Sequence, residues 1–364
     1  MRSYNLMVME GDGIGPEIVE STLAVLRHAA SLHRIELAFD DETVGLAALE
    51  AFGSTFRNES CERARGADGL ILGPVSHNVY PPVDKGGVNP SGTLRKQLDL
   101  YANIRPARTR PGITPRVGAL IDLVIVRENT EGFYADRTMF LGGGEFMPTP
   151  DLALAVRKVT RQASLRIAEK AFAIAAGRPR KLVAAVHKAN VLRVSDGLFL
   201  DCVREVAARY PDIRYEEQLV DAMAAHLVRD ASRFDVVVTT NMFGDILSDL
   251  ASELAGSLGL AASLNLGDGH AMAQAQHGSA PDIAGRGIAN PASLIGSSAM
   301  LLAWLGERFS DNAPLQAAAA IDAALDATIA DPDTRTADLG GTCTTAAFTQ
   351  SLIARMSEAA RADR

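Results

Sequence analysis

Short apolar runs that alternate with longer amphipathic stretches are the feature of this sequence that most limits its fold. Each short run is bounded by polar residues or glycine and predicts a strand; the runs occupy residues 5–9, 69–72, 123–126, 181–186 and 235–239. The amphipathic stretches predict helices at residues 18–31, 153–176, 196–210, 317–330 and 345–360. This alternation favours an α/β fold with a largely parallel sheet and helices on its faces.

The charge balance and the absence of a long apolar segment argue against several classes of function. The 364 residues include 36 Lys and Arg against 44 Asp and Glu, a net charge of −8, so no basic field is available to displace the counterions of nucleic acid. No apolar stretch approaches the ~20 residues of a membrane helix, and the first apolar run is too short for a signal peptide. The 3 cysteines lie far apart, which disfavours a disulfide scaffold or a thiolate zinc site. We therefore expect a cytoplasmic protein without nucleic-acid or membrane partners.

Two loop regions carry the first candidate functional features. Residues 11–17 read GDGIGPE between the first strand and the first helix, where glycines allow a close approach of the backbone to a ligand. The motif is not GxGxxG, so a purely structural turn is an equally good interpretation. Residues 73–92 and 142–150 are rich in Gly and Pro and too irregular for a helix or strand. Loops of that length in a compact chain are usually functional.

Three arginines lie near the ends of predicted elements. Arg95 and Arg105 fall in TLRKQLDLYANIRP, and Arg127 directly follows an apolar strand. A permanently charged group beside the core normally meets an anion, and the planar guanidinium matches a carboxylate. Surface arginines on three separate elements are the alternative. Together the three predict a site for a multiply charged acid.

Two aspartates four residues apart predict a cation site. Asp245 and Asp249 in NMFGDILSDL fall on one helix face, where like charges repel. A divalent cation such as Mg²⁺ or Mn²⁺ would relieve that repulsion, and Asp221 could supply a third oxygen. Carboxylates near a helix N-terminus, stabilised by the helix dipole, are the alternative. Lys188 follows another strand and could act as a neutral base near a metal and arginines, although a surface lysine is the commoner case.

A small-residue loop could lie along a flat ligand. Residues 277–285 read HGSAPDIAG and are followed by Asn290. An acid such as Asp282 can accept hydrogen bonds from ribose hydroxyls and would repel an added phosphate. A flexible loop is the alternative.

Together these motifs resemble the β-decarboxylating dehydrogenases, the isocitrate/isopropylmalate dehydrogenase family. The similarity runs from GDGIGPE at residue 11 to DLGGT at residues 338–342, and NMFGDILSDLAS and HGSAPDIAGRGIANP are its most specific parts. The resemblance implies an α/β fold of two domains around a large mixed sheet with a central cleft. It also implies a discontinuous cofactor domain at residues 1–100 and 256–364, and a substrate, metal and dimerisation domain at residues 101–255.

The resemblance further implies a role for each site residue. The substrate carboxylates would be bound by Arg95, Arg105 and Arg127, and Mg²⁺ or Mn²⁺ by Asp245, Asp249 and the neighbouring subunit's Asp221. Tyr134 would donate a proton, and Lys188 of the neighbouring subunit would be the base. The cofactor would contact Asn190, His277, Gly278, Ser279, Ala280, Asp282, Ile283 and Asn290. Relatives that use NADP carry Lys-Tyr in place of Asp282 and Ile283, so NAD is expected.

The implied activity is oxidative decarboxylation of a malate-type 2-hydroxy acid by a homodimer with shared active sites. Substrate choice in the family depends on the loop before Arg95. Isopropylmalate enzymes usually have leucines where Ser91 and Gly92 stand here, whereas Asn89 and Ser91 could hydrogen-bond a third carboxylate. An isocitrate or homoisocitrate type of substrate is therefore favoured. The alternatives are 3-isopropylmalate, D-malate or tartrate, a catalytically silent regulatory paralogue, and a nucleotide-binding module without redox activity.

Overall fold

In the computed structural model, which describes residues 2–134, 139 and 143–362, ten strands form one mixed sheet. The sheet strands are β1 (Ser3–Met9), β2 (Glu36–Asp41), β3 (Gly69–Leu72), β4 (Ala102–Arg108), β5 (Asp122–Glu128), β8 (Leu182–His187), β9 (Arg214–Leu219), β10 (Val236–Thr239), β11 (Leu264–Leu266) and β12 (Ala271–Gln274). Strands β6 (Glu145–Thr149) and β7 (Leu152–Ala155) form a separate two-stranded sheet.

Eleven α-helices accompany the strands in the described part of the chain. They are α1 (Gly15–His33), α2 (Leu46–Phe52), α3 (Asn58–Gly66), α4 (Pro90–Gln97), α5 (Arg161–Ala176), α6 (Ser195–Ala207), α7 (Val220–Asp230), α8 (Asn241–Ala255), α9 (Ala292–Phe309), α10 (Asn312–Ala330) and α11 (Thr345–Ala362). None of these helices is both long enough and apolar enough to cross a membrane.

The order of the large sheet is β2-β1-β3-β12-β11-β4-β5-β10-β8-β9. The outer pairs are parallel, as the alternating pattern predicts, but β11 runs antiparallel to both of its neighbours and β4 antiparallel to β5. The chain therefore forms the predicted mixed α/β sheet. Strand β4 belongs to the predicted middle domain and β11 to the predicted cofactor domain, and the two strands pair within one sheet. The division at residues 100 and 256 therefore stays a prediction.

The most deeply buried strands are predominantly apolar. Strands β3, β8 and β10 are buried at every position, since helices cover both faces of the sheet. One hydrophobic cluster contains Ile18 of α1 together with residues of α5, α9, α10 and α11, and a second places Leu247 of α8 against β5 and β10. This packing fixes α8 and the strand ends that carry the candidate site.

Two predictions for residues 142–176 are wrong in detail. The helix predicted from residue 153 begins at Arg161, because Thr160 caps it by accepting a hydrogen bond from the amide of Ala163 at 3.2 Å. The stretch predicted to be irregular at 142–150 contains β6, which pairs with β7; residue 142 itself lies outside the described residues. Both strands are exposed, and their alternation is too short to distinguish from a loop.

A cluster of charges joins the middle of the sheet to a helix from the C-terminal part of the chain. Arg108 at the end of β4 and Arg110 just beyond it both contact Asp322 and Asp326 of α10, at 2.7–3.0 Å between nitrogen and oxygen. The side chain of Arg110 is nearly buried, and these two carboxylates are the acids that pair with it, so removing them would leave a buried charge without a partner.

Candidate active site

A cavity of about 240 Å³ lies beside the end of the central strands and gathers most of the predicted substrate residues. Its lining is predominantly polar and comprises Pro74, Val75, His77, Asn89, Ser91, Gly92, Arg95, Arg105, Arg127, Tyr134, Asp245, Ser263, Gln274, Ala275, Gln276, His277 and Gly278. The structure thus brings the three predicted arginines, Tyr134 and one predicted metal ligand to a single cavity.

Arg105 on β4 is 6% exposed and makes contacts to both aspartates of α8. One guanidinium nitrogen donates to Ser248 Oγ at 2.7 Å and lies 3.1 Å from Asp245 Oδ1 and 3.3 Å from Asp249 Oδ1. Burial, reinforced by the charge of Arg127, lowers the pKa of Arg105 to about 10, while the two carboxylates oppose that shift. The guanidinium therefore stays charged at neutral pH.

Arg127, at the end of β5, is 2% exposed and is held by the first residue of α8. Its Nε donates to the carbonyl oxygen of Asn241 at 2.9 Å, one terminal nitrogen donates to Asn241 Oδ1 at 2.8 Å, and the other forms an ion pair with Asp245. The close approach requires glycine at position 244, because a Cβ there would lie 2.5 Å from Arg127 Cγ. The NMFGD segment therefore positions the arginine as well as the aspartate.

Asp245 and Asp249 lie on one face of α8, as predicted, and both side chains are partly exposed. Arg105 contacts both, and Gln276 Nε2 donates to Asp249 Oδ1 at 2.7 Å. In the single chain these donors reduce the repulsion between the Asp245 and Asp249 carboxylates, for which the sequence predicts a cation. No group of three or more His, Cys, Asp or Glu side chains suited to a metal ion occurs in residues 2–134, 139 and 143–362.

Lys188 and Asp221 pair with each other. Lys188 follows β8 and its Nζ donates to Asp221 Oδ1, at the start of α7, at 2.6 Å; that hydrogen bond is the main reason that the pKa of Asp221 is lowered. Within the part of the chain that the structure describes, neither residue lines the cavity of its own chain, and neither does Asn190. The roles of Lys188 and Asp221 in a neighbouring subunit's site, and of Asn190 at the cofactor, therefore stay predictions.

The loop before Arg95 forms one wall of the cavity. Asn89 caps α4, its Oδ1 accepting a hydrogen bond from the amide of Gly92 at 3.0 Å. Ser91 is buried and its Oγ donates to Gln274 Oε1 at 3.0 Å. Arg95 donates to the same oxygen at 3.2 Å. Gln274 therefore links the two predicted substrate residues on α4.

A second cavity of about 230 Å³ adjoins the first and contains most of the predicted cofactor residues. Its lining comprises Ile14, Gly259, His277, Gly278, Ala280, Ile283, Ile288, Asn290 and Asp338, so His277 and Gly278 belong to both cavities. Burial lowers the pKa of His277, and its Nε2 is buried without a hydrogen-bond partner among the described residues. A ligand atom in this cavity could satisfy that nitrogen. Asp282 is exposed and outside both linings, and Ser279 lies behind them.

The glycines of the GDGIG loop serve packing between loops. Gly13 has φ +60°, and a Cβ on it would lie 2.0 Å from the carbonyl oxygen of Ser279, which accepts a hydrogen bond from the amide of Ile14 at 2.8 Å. Asp12 accepts hydrogen bonds from the amides of Leu46 and Ser76 at 2.7 and 2.8 Å. The glycines fit a structural turn that seats the 277–283 loop, while Ile14 of the same loop lines the second cavity, so the ligand-loop interpretation stays open.

Comparison with known proteins decides the family. The model of the isocitrate/isopropylmalate dehydrogenase family matches residues 5–354. The chain belongs to this family.

Relatives of this chain within the family are named for different substrates. It is 42% identical over 352 residues to the isocitrate/homoisocitrate dehydrogenase of Thermus thermophilus, covering 96% of this chain and 98% of that one. It is 39% identical to a 3-isopropylmalate dehydrogenase of Saccharolobus solfataricus, over 93% of this chain and 95% of that one. The crystal structure of isocitrate dehydrogenase from Methylococcus capsulatus superimposes with a TM-score of 0.86 at 39% identity, covering 97% of this chain and 99% of that one. The chain is thus a dehydrogenase of the kind that oxidatively decarboxylates a hydroxy acid.

Several residues of this family member escaped the sequence analysis. Gln274 and Gln276 contact Ser91, Arg95 and Asp249, and Asp338 accepts a hydrogen bond from Asn290 Nδ2 at 2.9 Å. The two glutamines directly precede the HGSAP motif, which was the available signal. A neutral amide, however, has no charge or periodicity that would mark it.

Proposed function

We propose that this chain is an NAD- and Mg²⁺- or Mn²⁺-dependent dehydrogenase that oxidises and decarboxylates a malate-type 2-hydroxy acid, with a tricarboxylic acid of the isocitrate or homoisocitrate type preferred. The observation that carries the proposal is the convergence of Arg95, Arg105, Arg127, Tyr134 and Asp245 on one cavity. Three guanidinium groups in a small cavity suit a substrate with several carboxylates.

The preference for a polar substituent follows from the wall formed by α4. Asn89 and Ser91 both line the cavity, and because Asn89 Oδ1 is used by the helix cap, its amide nitrogen is the donor left for a ligand. An isopropyl group placed against this wall would bury the Asn89 amide nitrogen without a hydrogen-bond partner, which costs about 1–3 kcal/mol. A carboxylate would accept a hydrogen bond from that nitrogen.

In the proposed reaction, oxidation of the hydroxyl-bearing carbon is followed by loss of CO₂ and protonation of the carbon left behind. With NAD⁺ bound, the C–H bond at the hydroxyl-bearing carbon would break with its electron pair leaving as hydride to the nicotinamide, and Lys188 of the partner subunit would accept the hydroxyl proton. The C–C bond to the β-carboxylate then breaks, CO₂ leaves, and its electron pair forms an enolate. The Tyr134 hydroxyl donates a proton to that carbon, which gives the 2-oxo acid. The arginines hold the carboxylates throughout.

The donors present fit a hard divalent cation. Asp245 and Asp249 provide carboxylate oxygens on one helix face, the partner subunit's Asp221 would provide the third, and oxygen ligands are those that Mg²⁺ and Mn²⁺ prefer. When bound, the ion would supply Lewis-acid stabilisation of the developing negative charge on oxygen. The cavity that contains His277 and Asn290 likewise fits the adenosine part of NAD, with the orphan Nε2 of His277 as one contact.

The homodimer in this proposal is supported by where apolar residues are exposed. Val194 at the start of α6 is 89% exposed, Ile246 of α8 is 58% exposed, and Phe146 and Met147 of β6 are 51% and 64% exposed. Of the 15 exposed large apolar side chains in the described residues, 11 fall within residues 101–255, and such a concentration in one segment supports an interface there. Lys188 and Asp221 lie in the same part of the chain as these groups and outside their own cavity.

The test of the activity is NADH formation with Mn²⁺ for isocitrate, homoisocitrate, 3-isopropylmalate, D-malate and tartrate. We expect the highest kcat/KM with a tricarboxylic acid. Ser91→Leu should shift the preference towards 3-isopropylmalate, because it replaces a hydrogen-bonding wall by an apolar one. Highest activity of the wild type with 3-isopropylmalate would assign the chain to the alternative substrate.

Shared active sites can be tested by complementation. Asp245→Asn and Lys188→Met should each be inactive alone. In co-expressed mixtures, half of the dimers are mixed, and each mixed dimer has one site with Asp245 and Lys188 both intact, so we expect about a quarter of wild-type activity. If both residues act within one chain, the mixture will stay inactive.

A further inference from the structure

Gln274 occupies a position in the cavity that none of the assigned roles explains. It is the last residue of β12, it is 9% exposed, and β12 lies inside the large sheet between β3 and β11. Its side chain is therefore carried by a rigid strand rather than by a loop. It lines the same cavity as the three arginines and Tyr134.

The orientation of the Gln274 amide follows from its two neighbours. Arg95 can only donate, so the atom 3.2 Å from its guanidinium nitrogen must be the oxygen Oε1, which also accepts from Ser91 Oγ at 3.0 Å. Both contacts thus use Oε1, and Nε2 is turned away from them. Among the residues that the structure describes, Nε2 has no hydrogen-bond partner, and Gln274 lines the cavity, so this nitrogen is the group that Gln274 offers to a ligand there.

The absence of charge on Gln274 also matters. A carboxylate at this position would pair with Arg95 and reduce the positive charge that Arg95 offers to a substrate. An amide instead holds Arg95 and Ser91 in place and adds a hydrogen-bond donor of its own. The wall that contains Asn89, Ser91 and Gln274 therefore presents the amide nitrogens of Asn89 and Gln274 to a ligand and no negative group.

Building on the proposed function, we infer that Gln274 is a specificity-determining residue whose Nε2 donates to a carboxylate on the substrate's γ-substituent. D-malate has no such substituent, so its binding does not use this donor. Discrimination for a tricarboxylic acid over D-malate then depends on Gln274, whereas the chemistry common to both acids does not.

The test compares kcat/KM for isocitrate and D-malate in Gln274→Met, Gln274→Glu and wild type. Methionine keeps the volume but removes both the Oε1 acceptor that holds Arg95 and Ser91 and the Nε2 donor. We expect kcat/KM to fall for both acids, and the isocitrate to D-malate ratio, which isolates the donor, to fall about 10-fold. Glutamate replaces the donor by a negative acceptor, and the ratio should fall further, about 100-fold. Gln350→Glu on the exposed face of α11 adds the same charge far from the cavity and should leave the ratio unchanged.

The outcomes separate this inference from the proposed function. An equal fall for both acids in Gln274→Met, or an unchanged ratio in Gln274→Glu, overturns the role of Gln274 while the activity stands. A wild type that forms NADH with none of the five acids overturns the proposed function, and the role of Gln274 with it. Circular dichroism and melting temperature check that each variant is folded.

Discussion

Gly244→Ala is the substitution that best tests how α8 positions the substrate arginines. Gly244 is in the interior of α8 with an ordinary helical backbone, so alanine fits the local conformation and would by itself stabilise the helix by about 1 kcal/mol. The added Cβ would, however, lie 2.5 Å from Cγ and 2.7 Å from Cβ of Arg127. Those atoms are close to the β5 backbone and cannot move aside like the end of a flexible chain.

The expected magnitude follows from that distance. Ordinary contact requires about 3.4 Å or more, so Arg127 or α8 must shift by roughly 1 Å, and overpacking of this kind costs about 1–3 kcal/mol. After the gain in helix propensity, the net loss in the free energy of unfolding is about 0–2 kcal/mol. A displacement of about 1 Å in a group that positions the substrate can lower kcat/KM by about 100-fold. The variant should therefore be nearly as stable as wild type but much less active.

The assay is kcat/KM for the preferred acid together with urea denaturation. Gly66→Ala is the matched control, because Gly66 ends α3, is exposed, and has nothing within 4 Å of an added Cβ. It should keep wild-type kinetics and be equally or slightly more stable. If Gly244→Ala retains wild-type kcat/KM, Arg127 does not depend on this contact and the reasoning is wrong.

Three further results are expected. Gln276→Leu removes the amide that orients Asp249, so Mn²⁺ affinity measured by calorimetry without substrate should fall about 10-fold, while Gln350→Leu should not change it. Burial lowers the pKa of His277, so the folded chain binds fewer protons than the unfolded chain just below the ordinary pKa, and stability falls as pH drops through that range. His277→Gln should therefore lose less in melting temperature than wild type between about pH 7.5 and about pH 5.5; an equal loss contradicts the burial of a neutral ring. Mn²⁺ should raise the melting temperature of wild type and not of Asp245→Asn; an equal rise in both would place the ion elsewhere.

The parts of the fold that could be predicted are those whose pattern is strong within one segment. The fully buried strands β3, β8 and β10 are apolar runs, with only His187 and Thr239 at the ends of β8 and β10 polar, and the prediction for β3 matches its observed bounds. The antiparallel pairing of β11 with β4 could not be predicted, because strands of this length receive their direction from the rest of the sheet. The hairpin of β6 and β7 was missed because its strands are exposed on both faces.

In the candidate site, the charged residues could be predicted from the sequence and the neutral amides could not. Arg105, Arg127 and Asp245 could be identified because a charge beside an apolar strand or on an amphipathic helix is conspicuous. The glutamines at 274 and 276 could not, because an amide is ordinary at any position until its partners are known. The sequence also suggested a cation beside Asp245 and Asp249. In the single chain Arg105 contacts both carboxylates, and the cation site stays a prediction.

The ion pairs of Arg108 and Arg110 with Asp322 and Asp326 have a consequence for how the molecule unfolds. They fasten a strand of the segment 101–255 to a helix of the segment 256–364, and four contacts must be lost together if those segments separate. Heating should therefore melt both segments in a single step rather than release one before the other.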